Sequence, residues 1–284
     1  MSVVLITGCS TGIGLRTAVA FARRDDTVVA TMRNTAKADA LHKAAADAGV
    51  EVEVVALDVT SDASARSAVA EVLGRHGRVD VLVNNAGVGL SGPVEDFPED
   101  QARTAMETNF WGPVRMTRLV LPAMRAQGSG VIVNMSSITG RLPAFPAYAF
   151  YAAGKHAIGA LSESLAAEVA PFGIRVVCVE PGYYTTALTD TVDTLVAQID
   201  PSSPYADVNR FMMDFSKKAL VDGGDPADVA DAVVAAVADP ASPLHVHVGP
   251  DADAFLELWS QTGTFETFVP AANALLFSEG DQPA

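Results

Sequence analysis

The sequence predicts a doubly wound α/β fold, in which helices cover both faces of a parallel sheet of about seven strands. Two observations predict this fold. Short runs rich in valine and isoleucine recur along the 284 residues, and alanine-rich stretches with helical spacing separate them. The strand-like runs are apolar throughout instead of alternating with polar residues, so both faces of the sheet must be covered.

The elements follow one another with no proline-, glycine- or serine-rich linker, so residues 1–284 are expected to form one domain. The strand-like runs are Val3–Thr7, Val28–Met32, Val52–Asp58, Val81–Val83, Val131–Met135, Val176–Val179 and Val246–Val248. The helical stretches are Gly14–Arg24, Asp62–His76, Tyr151–Ala170 and Pro226–Ala238. An insertion at 183–224 and a tail at 250–284 interrupt this alternation.

Composition excludes several classes of function. The net charge of −15 argues against a nucleic-acid partner or an anionic membrane surface. No apolar run reaches the roughly 18 residues that a membrane span needs. The two cysteines, Cys9 and Cys178, make neither a disulfide framework nor a four-ligand zinc site. Because the first strand begins almost at Met1, no signal peptide is expected, and the predicted location is cytoplasmic.

The first strand runs into a glycine-rich loop, Thr7–Gly14, and then into an apolar-periodic helix. This context is typical of the dinucleotide site of a Rossmann-type fold. Gly8 permits a tight turn, Gly12 lets backbone approach a pyrophosphate, and Gly14 lets the helix pack on the strand. The helix N-terminus supplies free N–H groups for the phosphates. A purely structural turn would show the same glycines, but their place at the first strand–helix junction favours a nucleotide.

The end of the second strand distinguishes NADP from NAD. A carboxylate there binds the ribose diol of NAD, whereas this chain carries Arg33 and no carboxylate in Ala30–Arg33. Arginine suits the 2′-phosphate of NADP(H). The sequence therefore predicts NADP(H) over NAD(H), the alternative being that Arg33 is a solvated loop residue.

Tyr151 and Lys155 are four residues apart on a predicted helix and so share one face. A neighbouring ammonium lowers the pKa of a phenol, which prepares Tyr151 to exchange a proton with a carbonyl oxygen as hydride is transferred. Ser137, at the end of the preceding strand, can bind the same oxygen. Alone, this spacing also describes a core tyrosine beside a surface lysine, so the interpretation depends on its combination with the glycine loop.

Together these motifs resemble the short-chain dehydrogenase/reductase family over roughly residues 3–250. The resemblance also includes Asn84–Gly87 after the fourth strand, Asn109 in the next helix and Pro181-Gly182 after the sixth strand. Within the family, the segments 28–33, 136–143 and 180–182 look like the branch of 17-beta-hydroxysteroid and retinol dehydrogenases. The resemblance implies a catalytic tetrad of Asn109, Ser137, Tyr151 and Lys155, in which Asn109 holds a water that bridges to the lysine.

The resemblance also implies a set of cofactor-binding residues. It places Asp58 and Val59 near the adenine, Asn85 beside the ribose and Thr186 near the nicotinamide carboxamide. The full set is Gly8, Ser10, Thr11, Gly12, Ile13, Gly14, Arg33, Asp58, Val59, Asn85, Ala86, Gly87, Tyr151, Lys155, Pro181, Gly182 and Thr186.

Two features depart from the family pattern. The interval from Ser137 to Tyr151 is 14 residues, one more than is usual, which leaves Ser136 as the alternative serine. Tyr148 stands seven residues before Lys155, a spacing found in divergent enoyl reductases, although those enzymes carry methionine in place of Tyr151. Tyr148 is therefore interpreted as a pocket wall or core residue.

Three further features are interpreted as structural. His245 and His247 alternate on the last strand and share one face, but no third ligand is evident nearby, so no metal site is predicted. Cys9 is expected to pack inside the glycine loop. Small residues on the helix of Tyr151 allow close helix packing, and the resemblance implies a homodimer or homotetramer through that helix.

The insertion is apolar at irregular spacing, which is typical of a lid over a cofactor cleft. Its apolar residues are Tyr183, Tyr184, Leu188, Leu195, Val196, Ile199, Phe211, Met212, Met213 and Phe215. The sequence therefore predicts an oxidoreductase that transfers hydride between NADP(H) and a hydrophobic ketone, aldehyde or alcohol. The alternatives are a catalytically silent NADP(H)-binding redox sensor and an epimerase or dehydratase on the same fold. The insertion could equally be a subunit contact.

Overall fold

The computed structural model describes residues 1–143, 145–186 and 202–276. Its strands are β1 (Val3–Ile6), β2 (Thr27–Met32), β3 (Glu53–Ala56), β4 (Val81–Asn84), β5 (Gly130–Met135), β6 (Ile174–Pro181) and β7 (His245–Val248). All seven are parallel, in the order β3-β2-β1-β4-β5-β6-β7. The predicted doubly wound sheet is confirmed, and each predicted strand overlaps an observed one.

Helices occupy the connections between the strands. They are α1 (Gly12–Ala22), α2 (Asp39–Asp47), α3 (Asp62–His76), α4 (Glu99–Met106), α5 (Gly112–Gln127), α6 (Ala149–Val169), α7 (Ala206–Asp222), α8 (Pro226–Ala238), α9 (Pro250–Thr262) and α10 (Phe265–Leu276). A π-helical turn, Glu107–Trp111, joins α4 to α5. Short 3-10 turns lie at Thr35–Lys37, Ile138–Gly140 and Ala170–Phe172. No described helix is long and apolar enough to cross a membrane.

Alternate residues of the central strands point into two separate cores. In β1, Val4 and Ile6 pack with α1, α2 and α8, whereas Val3 and Leu5 pack with α3, α5 and α6. Both sets are buried, as expected for a sheet covered on its two faces. The absence of polar alternation in the strand sequences is explained by this double burial.

The strand order reverses between β1 and β4, which lie side by side although β2 and β3 intervene in the chain. At such a switch point the loops after the two strands diverge and leave a crevice at their carboxyl ends. The glycine loop after β1 and the Asn85–Gly87 turn after β4 flank this crevice. The fold therefore brings two of the predicted motifs to one place.

The tail beyond β7 packs on the segment between β5 and α6. Phe255 of α9 and Phe268 of α10 form a buried cluster with Ile138, Leu142 and Phe145. The rings of Phe145 and Phe255 meet edge to face, with centroids 5.9 Å apart. The two tail helices therefore support the loop that leads from Ser137 into the helix of Tyr151.

Candidate active site

The glycine loop is shaped by close contact with the turn after β4. Gly8 has φ +74°, and a Cβ at this position would lie 2.8 Å from Cα of Ala86. A methyl group at Gly14 would overlap the side-chain amide of Asn85 and the carbonyl of Gly8. The loop can therefore fold against Asn85 and Ala86 only with glycine at both positions.

The N-terminus of α1 faces the crevice and fits an anionic group. Among the described residues, the N-cap Thr11 makes no side-chain capping bond, and the first turn of α1 contains no acidic residue. The first N–H groups of this helix are therefore available, and the helix dipole adds partial positive charge. This donor set suits the pyrophosphate of a dinucleotide.

Thr7 holds the two sides of the crevice together, and the sequence analysis assigned it no role. Its Oγ1 accepts hydrogen bonds from the N–H groups of Asn85, at 3.0 Å, and Ala86, at 2.9 Å. The amide Nδ2 of Asn85 in turn donates to the carbonyls of Thr7 and Gly8. Its position immediately before the first glycine is the signal that could have found it.

Arg33 lies at the end of β2, opposite Asp58 at the end of β3. The pKa of the Asp58 carboxyl is lowered: burial raises it, but two hydrogen bonds from Thr60 and the charges of Arg33 and Arg115 outweigh the burial. Both bonds from Thr60 reach Oδ1, at 2.9 Å from N and 2.7 Å from Oγ1. Arg33 itself is exposed and lines the crevice, where its guanidinium can meet a second anion.

One cleft at the carboxyl ends of the strands is lined by every residue expected to bind the cofactor. Ser136 and Ser137 line it as well, together with Met32, Leu57, Thr60, Val88, Thr108, Met135 and Tyr184. With Ser137 included, the predicted residues that line the cleft come from seven segments of the chain, namely 8–14, 33, 58–59, 85–87, 137, 151–155 and 181–186. Their meeting in one cleft is therefore a property of the tertiary fold.

The structure distinguishes the two candidate serines. The Ser137 hydroxyl lies near the Tyr151 phenol and lowers the pKa of that phenol. It also accepts from Thr139 Oγ1 at 3.0 Å, which orients it. The Ser136 hydroxyl instead donates to the main-chain carbonyl of Lys155 at 3.1 Å. Only Ser137 is thus presented to the tyrosine, despite the unusual interval.

Burial dominates the electrostatics of Tyr151 and Lys155. It raises the pKa of the Tyr151 phenol, with a further increase from Tyr148, and the nearby Ser137 hydroxyl only partly opposes this. Burial also lowers the pKa of Lys155 to about 8, against a smaller opposing effect of Cys178. Lys155 is not among the groups that shift the pKa of Tyr151 in this structure. The physical reason is that Nζ donates to the carbonyl of Met135 at 2.8 Å and lies 5.6 Å from the phenol ring centroid.

Asn109 is buried in the π-helical turn and does not line the cleft directly. Its Oδ1 accepts from the N–H of Val88 at 2.8 Å, and its Nδ2 donates to the carbonyl of Val88 at 2.9 Å. Helix α6 approaches it at Gly154, where a Cβ would lie 3.7 Å from that of Asn109. The side chain therefore ties the loop after β4 to the π-helical turn, which in turn lies against the helix that carries Tyr151 and Lys155. Such π-helical turns are frequent at functional sites.

A buried polar chain behind the site was not foreseen. Nδ2 of Asn84 donates to Oδ1 of Asn134 at 2.9 Å, and Nδ2 of Asn134 donates to Ser162 Oγ at 2.9 Å. These bonds join β4 and β5 to α6, and they lie beneath the Tyr151 face. Such a network fixes the position of a helix because each buried polar group must keep its partner.

An apolar wall stands beside Tyr151. The ring of Tyr148 meets that of Tyr151 edge to face at 5.9 Å, and Tyr148 and Tyr183 pack with Phe211 and Met212 of α7. Tyr148 thus packs against apolar neighbours beside Tyr151, and its interpretation as a pocket wall or core residue stays a prediction. The predicted lid residues Leu188, Leu195, Val196 and Ile199, and the side chain of Phe215, lie outside the described residues.

Comparison with known proteins identifies the family of the chain. Residues 2–195 match the family model described as short chain dehydrogenase. The chain is 36% identical to 3-ketodihydrosphingosine reductase of Bacteroides thetaiotaomicron, covering 87% of this chain and 88% of the relative. It is 35% identical to retinol dehydrogenase 8 of Bos taurus, covering 96% and 90%.

Among solved structures, a short-chain dehydrogenase from Streptomyces avermitilis is 37% identical, with a TM-score of 0.78 and coverage of 97% and 98%. A metagenomic short-chain oxidoreductase in complex with NADP is 28% identical, with a TM-score of 0.68 and coverage of 87% and 96%. A short-chain dehydrogenase/reductase from Burkholderia phymatum in complex with NAD is 25% identical, with a TM-score of 0.79 and coverage of 92% and 93%. Both nicotinamide cofactors thus occur among structural neighbours of this fold.

Proposed function

Because the chain belongs to the short-chain dehydrogenase family, we propose that it transfers hydride between NADP(H) and a hydrophobic ketone, aldehyde or the matching alcohol. The observation that carries the proposal is that Ser137, Tyr151 and Lys155 line the same cleft as the glycine loop. When bound, the nicotinamide supplies or accepts the hydride. The residues of this chain bind the reactants and move the proton.

Tyr151 acts as the acid in reduction and the base in oxidation. The phenol is protonated at neutral pH, and in reduction it donates its proton to a carbonyl oxygen as negative charge develops there. Ser137, oriented by Thr139, holds the same oxygen through its hydroxyl. Lys155 remains largely protonated below pH 8 and places a positive charge beside the phenol. Asn109 fixes the loop after β4 through its two hydrogen bonds to Val88.

Arg33 supports a preference for NADP(H). It lines the cleft at the end of β2 and is exposed, so a 2′-phosphate can approach its guanidinium. The nearby Asp58 carboxyl is already engaged by two hydrogen bonds from Thr60. Its charge competes less effectively for Arg33 than an unpaired carboxylate does.

The apolar wall supports a hydrophobic substrate. Tyr148 meets the Tyr151 ring edge to face and packs with Tyr183, Phe211 and Met212, so the surroundings of the proton donor are apolar and suit an apolar ligand. The names of two relatives refer to retinol and to 3-ketodihydrosphingosine, which agrees with an elongated apolar substrate. A ketone or aldehyde on a long hydrocarbon chain or ring system fits this wall.

The proposal is tested by oxidation of NADPH and NADH in parallel, with a series of hydrophobic ketones and aldehydes. Tyr151→Phe retains the ring and removes only the proton donor, and Tyr205→Phe, whose hydroxyl bonds Glu95 at the surface, is the matched control. Turnover with NADPH that Tyr151→Phe abolishes and Tyr205→Phe preserves supports the proposal. Tight NADPH binding without turnover over the whole series would instead favour the redox sensor.

A second pair of variants tests the cofactor preference. Arg33→Ala is expected to raise the KM for NADPH and leave the KM for NADH nearly unchanged, because it removes the partner of the 2′-phosphate. Arg24→Ala, which removes an exposed arginine at the end of α1, is the control. If Arg33→Ala raised the KM for NADPH and the KM for NADH equally, Arg33 would not be the residue that binds the 2′-phosphate.

A further inference from the structure

Four side chains with metal-binding chemistry meet where β6 pairs with the edge strand β7. The parallel register places Cys178 beside His245 and Glu180 beside His247, and residues two apart on a strand share a face. One ligand atom from each of Cys178, Glu180 and His245 lies within 4.8 Å of the others. The two histidines thus have the third ligand that the sequence did not reveal, because it comes from the neighbouring strand.

The spacing of these atoms is close to that of a zinc site. Sγ of Cys178 lies 3.7 Å from Oε1 of Glu180, and Nδ1 of His245 lies 2.9 Å from the same oxygen. With Zn–S of about 2.3 Å and Zn–N or Zn–O of about 2.0–2.1 Å, neighbouring ligands of a tetrahedral ion are about 3.4–3.6 Å apart. Small side-chain rotations therefore suffice to enclose an ion.

The carboxylate at the centre is buried and incompletely partnered. The Glu180 side chain is 1% exposed, and Oε2 accepts no hydrogen bond from the described residues. Nε2 of His247 lies 3.2 Å from that oxygen but outside hydrogen-bonding geometry. A buried carboxylate oxygen without a donor is costly, and a cation bound beside Oε1 of the same carboxylate lowers that cost by balancing the charge that the two oxygens share.

The surrounding residues provide the outer contacts that metal sites use. While Nδ1 of His245 faces Glu180, its Nε2 lies 3.1 Å from Oε1 of Glu163. This is the carboxylate–histidine arrangement that fixes the tautomer and orientation of a ligating ring. Arg141 also reaches His245 Nε2, at 3.1 Å, and lies 4.0 Å from Glu180 Oε2. The positive charge of Arg141 disfavours the binding of a cation at this position.

We propose that Cys178, Glu180 and His245 bind a Zn²⁺ ion at the β6–β7 edge, with water in the fourth position. Thiolate, imidazole and carboxylate are the ligand types that zinc accepts together. Binding displaces the thiol proton of Cys178 to solvent. The site then holds three negative groups, which are the thiolate and the carboxylates of Glu163 and Glu180, and one positive group, which is Arg141. The net charge of −2 is balanced by a divalent ion. The half-buried ring of His245 provides the route from solvent.

The ion would act on the edge strand. It joins β6 to β7 through side chains, so it stabilises the folded chain in proportion to its occupancy. Zinc occupancy is therefore expected to raise Tm in a concentration-dependent manner.

The experiment titrates the chelator-treated full-length chain with Zn²⁺ against a chromophoric chelator, and with Co²⁺ as a spectroscopic probe. We expect one equivalent to bind, with a thiolate-to-cobalt charge-transfer band and the visible bands of tetrahedral cobalt. His245→Gln is expected to weaken Zn²⁺ binding at least about tenfold. His42→Gln, which changes an exposed histidine of α2, is expected to bind as the wild type does.

Cys178→Ser tests the thiolate directly, with Cys9→Ser as the variant at the other buried cysteine. The charge-transfer band is expected to disappear only in Cys178→Ser. Circular dichroism shows whether each variant is folded. If a cysteine variant does not fold, the Zn²⁺ affinity of His245→Gln still tests the proposal. Equal Zn²⁺ affinity of wild type and His245→Gln, or cobalt binding without a charge-transfer band, would overturn the proposal.

Discussion

The main-chain N–H of Tyr183 donates a 2.7 Å hydrogen bond to Oδ2 of Asp251. Asp251 belongs to α9, in the tail, whereas Tyr183 directly follows the cofactor-lining pair Pro181-Gly182 at the end of β6. A Cβ at Gly182 would overlap the Asp251 carboxylate, so the two segments are in close contact. The tail therefore anchors the wall of the cleft after β6.

Asp251→Ala is expected to lower the free energy of unfolding by about 1–3 kcal/mol, because the hydrogen bond to a charged carboxylate is lost. We expect the Kd for NADPH to rise as well, since Pro181 and Gly182 lose their anchor. Denaturant titration and cofactor fluorescence measure the two effects. Asp253→Ala, an exposed change on the same helical turn, serves as the comparison and is expected to alter neither value.

Gly14→Ala is expected to cost about 1–3 kcal/mol of stability and to weaken cofactor binding, because the methyl group overlaps Asn85 and the Gly8 carbonyl. Gly74→Ala in α3 is the matched change, with no described atom within 4 Å of the added carbon. It is expected to stabilise the chain by about 0.5–1 kcal/mol through helix propensity. Thermal or urea unfolding checks both, and similar effects of the two substitutions would contradict the packing argument.

Lys155→Met is expected to abolish turnover and to raise the free energy of unfolding at pH 7 by about 1–3 kcal/mol. Burial lowers the pKa of Lys155 from 10.5 to about 8, so between these values the unfolded chain binds the extra proton. Wild-type stability therefore rises with pH across this window relative to the variant. Urea titrations from pH 7 to 10.5 measure the difference, and a gap that does not change with pH would refute the assignment.

Ser137→Ala is expected to lower kcat/KM by about 10²–10³, since it removes the donor to the carbonyl oxygen next to Tyr151. Ser136→Ala removes a bond to the Lys155 carbonyl. Ser136→Ala is expected to lower the free energy of unfolding by about 1 kcal/mol. Its loss of kcat/KM is expected to be much smaller than that of Ser137→Ala. Steady-state kinetics with NADPH and an apolar ketone separates the two. Equal losses for the adjacent serines would show that the site does not distinguish them.

The candidate site was predictable to the extent that its signals are local. The spacing of Gly8 and Gly14 is typical of a strand–turn–helix unit. Tyr151 and Lys155 are one helix turn apart. Both spacings can therefore be recognised in the sequence alone. The selection of Ser137 over Ser136 was not settled by spacing, because it depends on where Tyr151 lies across the cleft. The pKa of Tyr151 depends on its burial, which no spacing records.

The amino-acid sequence by itself determined the alternation of strands and helices and the dinucleotide loop, because periodicity and turn chemistry act within a few residues. The pairing of strands distant in sequence was decided only by the tertiary structure. It brings Cys178 to His245 across β6 and β7, Asp251 to Tyr183, and Thr7 to Asn85. These contacts follow from global packing and strand register, in which the burial of both faces of the sheet outweighs any local preference.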